Sequence, residues 1–406
     1  MEGHGAQAGI GTRWALAALG LLAVLVVACG SEETSGGGAE PVAVDQLDSD
    51  AVGDGISALE SITAEGLPDP LVDPAELLSG GPPPDGIPPI DDPRFLATSE
   101  VDHLADNEPV LAVRIGSDSR AYPVEVMIWH EIANDTFRPD GADGAAIPVA
   151  VTYCPLCNSA IAYDRRVDGR VLDFGTSGLL YRSALVMYDR QTESLWSHFN
   201  GRAVAGQLTG SELEKYPTAT VSWKDWREAN PDGLVLSRDT GETRPYGQNP
   251  YPGYDDVDES PFAFTGELDE RLLAKERVLG TGIGGFPTAV RLEALIERGV
   301  ITFEQDGVEV VAWALPGTAS ALETFEVADG RDVGATGLFR TGVDGRELSF
   351  TRTAEGFVDA QTGSSWNVLG EAIAGPLRGK ALEPVEHVDT FWFAWAAFSP
   401  ESRILP

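Results

Sequence analysis

Along the chain, apolar side chains come in short bursts bounded by turn-forming residues, and long helical stripes are scarce. Residues 110–115 (VLAVRI), 148–153 (PVAVTY) and 184–188 (ALVMY) are rich in β-branched and aromatic side chains, so each is predicted to be a strand. Asp168-Gly169 and Asp344-Gly345 have the composition of two-residue hairpin turns. Helical patterning predicts one helix over residues 123–134, a second over 289–298 and a short one over 73–78. The pairs Trp223/Trp226 and Trp392/Trp395 suit a helical or turn segment packed on a sheet. The expected fold class is mainly β with a few short helices (α+β).

The same string recurs. DRQTESLW (189–196) aligns with DAQTGSSW (359–366) at an offset of 170, and GRAVAG (201–206) with GEAIAG (370–375) at 169. At that second offset Trp223 falls on Trp392, Trp226 on Trp395 and Pro231 on Pro400; upstream, Val110-Leu111 aligns with Val278-Leu279 at 168. An internally duplicated chain of two pseudo-symmetric β-rich halves is therefore expected. The first repeat covers residues 87–245, a Pro/Tyr-rich connector 246–277, and a second, degenerate repeat 278–406. Where the first repeat has His130-Glu131 and YCPLC (153–157), the second has Arg298-Gly299 and WALPG (313–317). That difference predicts one working site and one structural partner.

Ahead of the repeats, Arg13 precedes an apolar run (14–28) of signal-peptide length, which ends in Val26-Val27-Ala28-Cys29. This resembles the lipobox of bacterial lipoproteins, which implies a leader at 1–28, lipid attachment at Cys29 and a membrane partner reached through that lipid. Residues 29–86 are acidic and rich in Gly and Pro, the composition of a tether. An exported, lipid-anchored protein facing the exterior or periplasm is expected. The net charge of −36, from 28 basic and 64 acidic residues, argues against nucleic acid and against direct binding to an anionic surface.

With Cys29 set aside for lipid, Cys154 and Cys157 are the only thiols left. A strand running into Cys-Pro-x-Cys places both sulfurs on one side of a turn. Two thiolates make half of a tetrahedral site, and imidazole suits copper or zinc, so His130 is the expected third ligand, with His198, Asp135 or Glu131 as candidates for a fourth. Three further readings stay open: thiol–disulfide exchange by Cys154 and Cys157, a structural disulfide in a protein that serves as an interaction body, and cysteines that hold or attack an organic molecule. HEIAN (130–134) is not HExxH, and neither GxSxG nor a phosphate loop is present. Arg182 and Arg190 are candidates for an anion pocket, FGTSG (174–178) for close backbone approach to a ligand, and RPYGQNPYPGY (244–254) for a lid or, preferably, a connector. His103 and His387 have no chemical neighbours in sequence and are read as structural.

WHEIAND (129–135), TYCPLCNSA (152–160), FGTSGLL (174–180), MYDRQTESLW (187–196), SWKDW (222–226) and RPYGQNPYPGY together resemble the bacterial family catalogued as domain of unknown function 3179. The resemblance runs from about Ile87 to the C-terminus and implies no activity. His198 departs from it, since the family pattern often carries Gln there.

Overall fold

Residues 66–141, 144–282 and 285–406 are described by a computed structural model. The proposed leader, Cys29 and most of the tether lie outside the described residues. Strands predominate, joined by four short α-helices among the described residues.

The strand Pro109–Ile115 lies between Thr218–Ser222 and Asp118–Pro123, antiparallel to both, and Leu234–Leu236 runs parallel on the far side of Asp118–Pro123. Later in the chain, Arg277–Thr281 lies between His387–Phe391 and Thr288–Arg291, with Arg403–Leu405 parallel beyond. Each of these sheets is followed by a short helix, Val124–Met127 or Leu292–Arg298, and then by an antiparallel trio. The first trio is Ile132–Phe137, Ile147–Cys154 and Ser159–Asp164; the second is Val300–Gln305, Val308–Leu315 and Ala335–Arg340. A four-strand run and a Trp-bearing helix, Trp223–Ala229 or Trp392–Phe398, complete each series. Both Asp-Gly pairs make the expected two-residue turns, with φ of 49° and 76° at Asp168-Gly169 and 51° and 75° at Asp344-Gly345.

The helix expected over 123–134 is cut to Val124–Met127. Turn hydrogen bonds continue as far as the Glu131 amide, which donates to the Met127 carbonyl at 2.7 Å. There φ swings to +60°, and Ile132–Phe137 pairs with Ile147–Cys154 instead. The helix expected over 289–298 begins only at Leu292, because residues 288–291 are strand, and it ends against Gly299 at φ +80°. Over 73–78 a single 3-10 turn, Pro74–Glu76, is capped by the Asp73 carboxylate. It leads into Leu77–Ser79, which pairs with Phe174–Tyr181, so this part of the tether stretch belongs to the folded body.

One apolar cluster crosses both series of elements. Ile132, Val151, Cys154, Cys157, Ala162 and Phe199 share it with Val278, Val388, Phe391 and Trp395. The Phe199 ring stacks on Phe398 with centroids 4.7 Å apart. Residues 246–276 carry no helix or strand, and Tyr246, Tyr251 and Tyr254 pack from them onto the same cluster; the expected connector is one residue shorter, because Arg277 opens the strand Arg277–Thr281. Among the described residues no helix is long and apolar enough to cross a membrane.

Candidate metal and ligand site

Cys154 closes its strand opposite Ser159, and Pro155 to Asn158 form the turn between them. Proline presets the φ that the second position of such a turn requires, and Asn158 takes the positive φ (+49°) that Asn tolerates. Both cysteines thus start from one end of the hairpin. Both are free thiols, 1% and 0% exposed. The Leu185 amide donates to Cys154 Sγ at 3.4 Å, and Cys157 Sγ lies 3.0 Å from Ser159 Oγ. Burial pushes the Cys154 thiol up, but hydrogen bonds from Cys157 and nearby amides outweigh it and leave its pKa below the ordinary value. Burial and the neighbouring Cys154 sulfur hold Cys157 well above it.

The imidazole that joins the sulfurs is His198. One donor atom from each of Cys154, Cys157 and His198 lies within 4.8 Å of the other two. His198 follows the strand Leu195–Ser197; its amide donates to the Leu185 carbonyl at 3.0 Å, and its carbonyl accepts from the Tyr163 hydroxyl. The same residue, Leu185, therefore fixes both His198 and Cys154. The ring is fully buried, and neither nitrogen has a hydrogen-bond partner among the described residues. Burial, reinforced by the Lys215 charge, lowers its pKa to about 3, so the imidazole is neutral and able to act as a ligand.

His130 is held elsewhere. Its Nδ1 lies 2.7 Å from the Pro88 carbonyl and its Nε2 2.6 Å from the Tyr246 hydroxyl, so it ties the connector to the first sheet layers. Asp135 is also remote in role, since both its oxygens take Arg120 Nη1 at 2.7 Å and Oδ2 accepts from Tyr122. Arg190 pairs with Asp85 and Asp91, and Arg182 donates to the Ala397 carbonyl and lies over the Tyr181 ring, so neither guanidinium faces an open anion pocket. His387 Nδ1 lies 2.9 Å from the Val385 carbonyl, and His103 stands 3.8 Å from Glu125.

Glu131 differs from the other candidates. It is 6% exposed, and burial, then the Cys154 charge, holds its carboxyl well above the usual range. It lines a cavity of about 250 Å3 together with Leu156, Leu185, Tyr251 and Tyr254. The two tyrosines come from the string read as a lid or, preferably, a connector, and Thr176 and Gly178 of FGTSG line the same cavity. In the second series, Leu315 takes the strand-end position of Cys154, opposite Ala335 in place of Ser159, and the four-residue turn is replaced by residues 316–334.

A family model described as "Protein of unknown function (DUF3179)" matches residues 84–402. No curated protein and no solved structure matches the chain.

Proposed function

We propose, from the premise that the chain belongs to the DUF3179 family and inherits no activity from it, that Cys154, Cys157 and His198 bind a soft transition-metal cation, Cu(I) or Zn(II). One observation carries the reading: a neutral, fully buried imidazole with both nitrogens unpartnered faces two free thiols at ligand spacing. An orphaned buried polar group costs about 1–3 kcal/mol, and a metal–nitrogen bond removes that cost for one of the two nitrogens. Two thiolates and an imidazole satisfy three-coordinate Cu(I). Zn(II) needs a fourth donor beyond these three residues. The burial of both sulfurs withholds them from exchange with a protein disulfide.

Around this centre, the first series of elements is the working copy of a duplicated unit, and the second is its structural partner. The shared order of elements and the sequence offsets near 169 support that history. The body is exported and anchored through lipid on Cys29, a reading supported by the residues around that cysteine.

The test is elemental analysis of protein purified under reducing conditions. One copper or zinc per chain is expected, lost in Cys154→Ser and His198→Leu but kept in His130→Phe. Metal well below one per chain, at the same level in parent and variants, would overturn the assignment.

A further inference from the structure

The cavity beside the thiols is built as a binding site in its own right. Its volume of about 250 Å3 exceeds the ~150 Å3 that suffices for a benzene ring in an apolar cavity. One wall comes from FGTSG: the pairing of Phe174–Tyr181 with Ala184–Asp189 slips between Thr176 and Leu179. Gly178, at φ +76°, lets the Pro82 carbonyl approach to where a Cβ would sit 2.1 Å away. The cover comes from Tyr251 and Tyr254 of the connector, and Leu156 of the cysteine turn closes one side.

Into this apolar space comes a single carboxyl group. Glu131 is more than nine-tenths buried, and among the described residues its carboxyl has no hydrogen-bond or ion-pair partner. Its oxygens look onto the open space of the cavity, where a ligand group can meet them, and the residue is held there at φ +60°, which a non-glycine side chain adopts only at a cost.

We propose that this cavity binds a small, uncharged, largely apolar molecule with one hydroxyl group, and that the hydroxyl hydrogen-bonds to the Glu131 carboxyl. A hydroxyl can donate to a carboxylate and accept from a carboxylic acid, so the match holds in either state of the group. Leu156, Leu179, Leu180 and Leu185 of the lining give a ring its apolar contact, and Tyr251, Tyr254 and Phe262 add aromatic faces. The site does not depend on a metal, because its walls are side chains other than Cys154, Cys157 and His198.

The test is calorimetric titration with 4-methylphenol, toluene and the benzylammonium ion, on metal-loaded and on metal-stripped protein. The parent should bind one 4-methylphenol at least tenfold more tightly than toluene, and Glu131→Leu should abolish or reverse that preference. Leu156→Trp fills the cavity and should remove binding of both, with an unfolding transition confirming that each variant folds. Equal binding of toluene and 4-methylphenol, tighter binding of benzylammonium, undiminished binding in Leu156→Trp, or no binding at all would overturn the proposal. If elemental analysis finds no metal while 4-methylphenol still binds, this site stands and only the metal assignment falls.

Discussion

His198 and Glu108 show how much one buried side chain can decide. With metal removed, the His198 imidazole is an unsatisfied polar group in an apolar cluster. His198→Leu should therefore leave the metal-stripped protein equally stable, or up to about 1 kcal/mol more stable, while abolishing metal uptake. Urea unfolding with and without chelator checks both. Glu108 accepts from the Ala105 amide at 2.8 Å through one oxygen, while the other has no partner. Burial, with Glu125 and Glu326 nearby and only partly offset by that amide and Arg238, raises its pKa from 4.5 to about 7. The folded state keeps a proton that the unfolded chain releases across that interval, so this group's contribution is present in acid and lost as pH rises through about 7. Glu108→Gln should match the parent near pH 4 and exceed it in stability near pH 8, measured by denaturant titration at both. At this scale the sequence showed the thiols but put His130 first, with His198 only among three candidates for a fourth ligand. His130 drew notice because it sits where the two repeats differ. His198 reaches the sulfurs only because Leu185, from a neighbouring strand, binds both its amide and Cys154. Pairing between distant strands leaves no mark in local spacing.

Among the elements, the repeated DxQTxSxW string builds the same hairpin twice. Asp189 Oδ2 accepts from Trp196 Nε1 at 2.9 Å and its Oδ1 from the Thr192 amide at 2.6 Å; Asp359 does the same for Trp366 at 3.0 Å and Thr362 at 2.5 Å. Removing either carboxylate strands a buried indole N–H and a turn amide. Asp359→Ala and Asp189→Ala should each cost about 2–4 kcal/mol, read as a lower denaturation midpoint. These hairpins and the Asp-Gly turns were legible because side chains two to seven residues apart define them. The helix expected over 123–134 was overdrawn for the opposite reason. Its apolar spacing fits a helix, but the reversal at Glu131 serves strand pairing with residues 147–154, which lie well outside that window.

In the whole molecule, the second series of elements supports the first. The Cys157 carbonyl accepts from Thr390 Oγ1 at 2.6 Å and from the Phe391 amide at 3.1 Å, so the cysteine turn is held from a strand more than two hundred residues away. Thr390→Val leaves the fold intact and removes one of these bonds, and it should weaken metal retention severalfold against a competing chelator. A chain ended at residue 245 loses Val278, Val388, Phe391 and Trp395 from the shared cluster, and should give no cooperative unfolding transition in calorimetry. The sequence offsets led to the expectation of two repeats. They did not announce that the two series would share one interior: Val278 and Trp395 align with Val110 and Trp226, yet the former lie in the cluster of the cysteines and the latter in another.

That remote anchoring has a kinetic side. A turn fastened in its own hairpin and again from a strand near residue 390 has no loose edge from which to peel, and its sulfurs are buried. Cargo lodged there would escape at the tempo of collective breathing, so its departure rate should level off as scavenger is added. A centre of this kind is better suited to keeping what it holds than to passing it on.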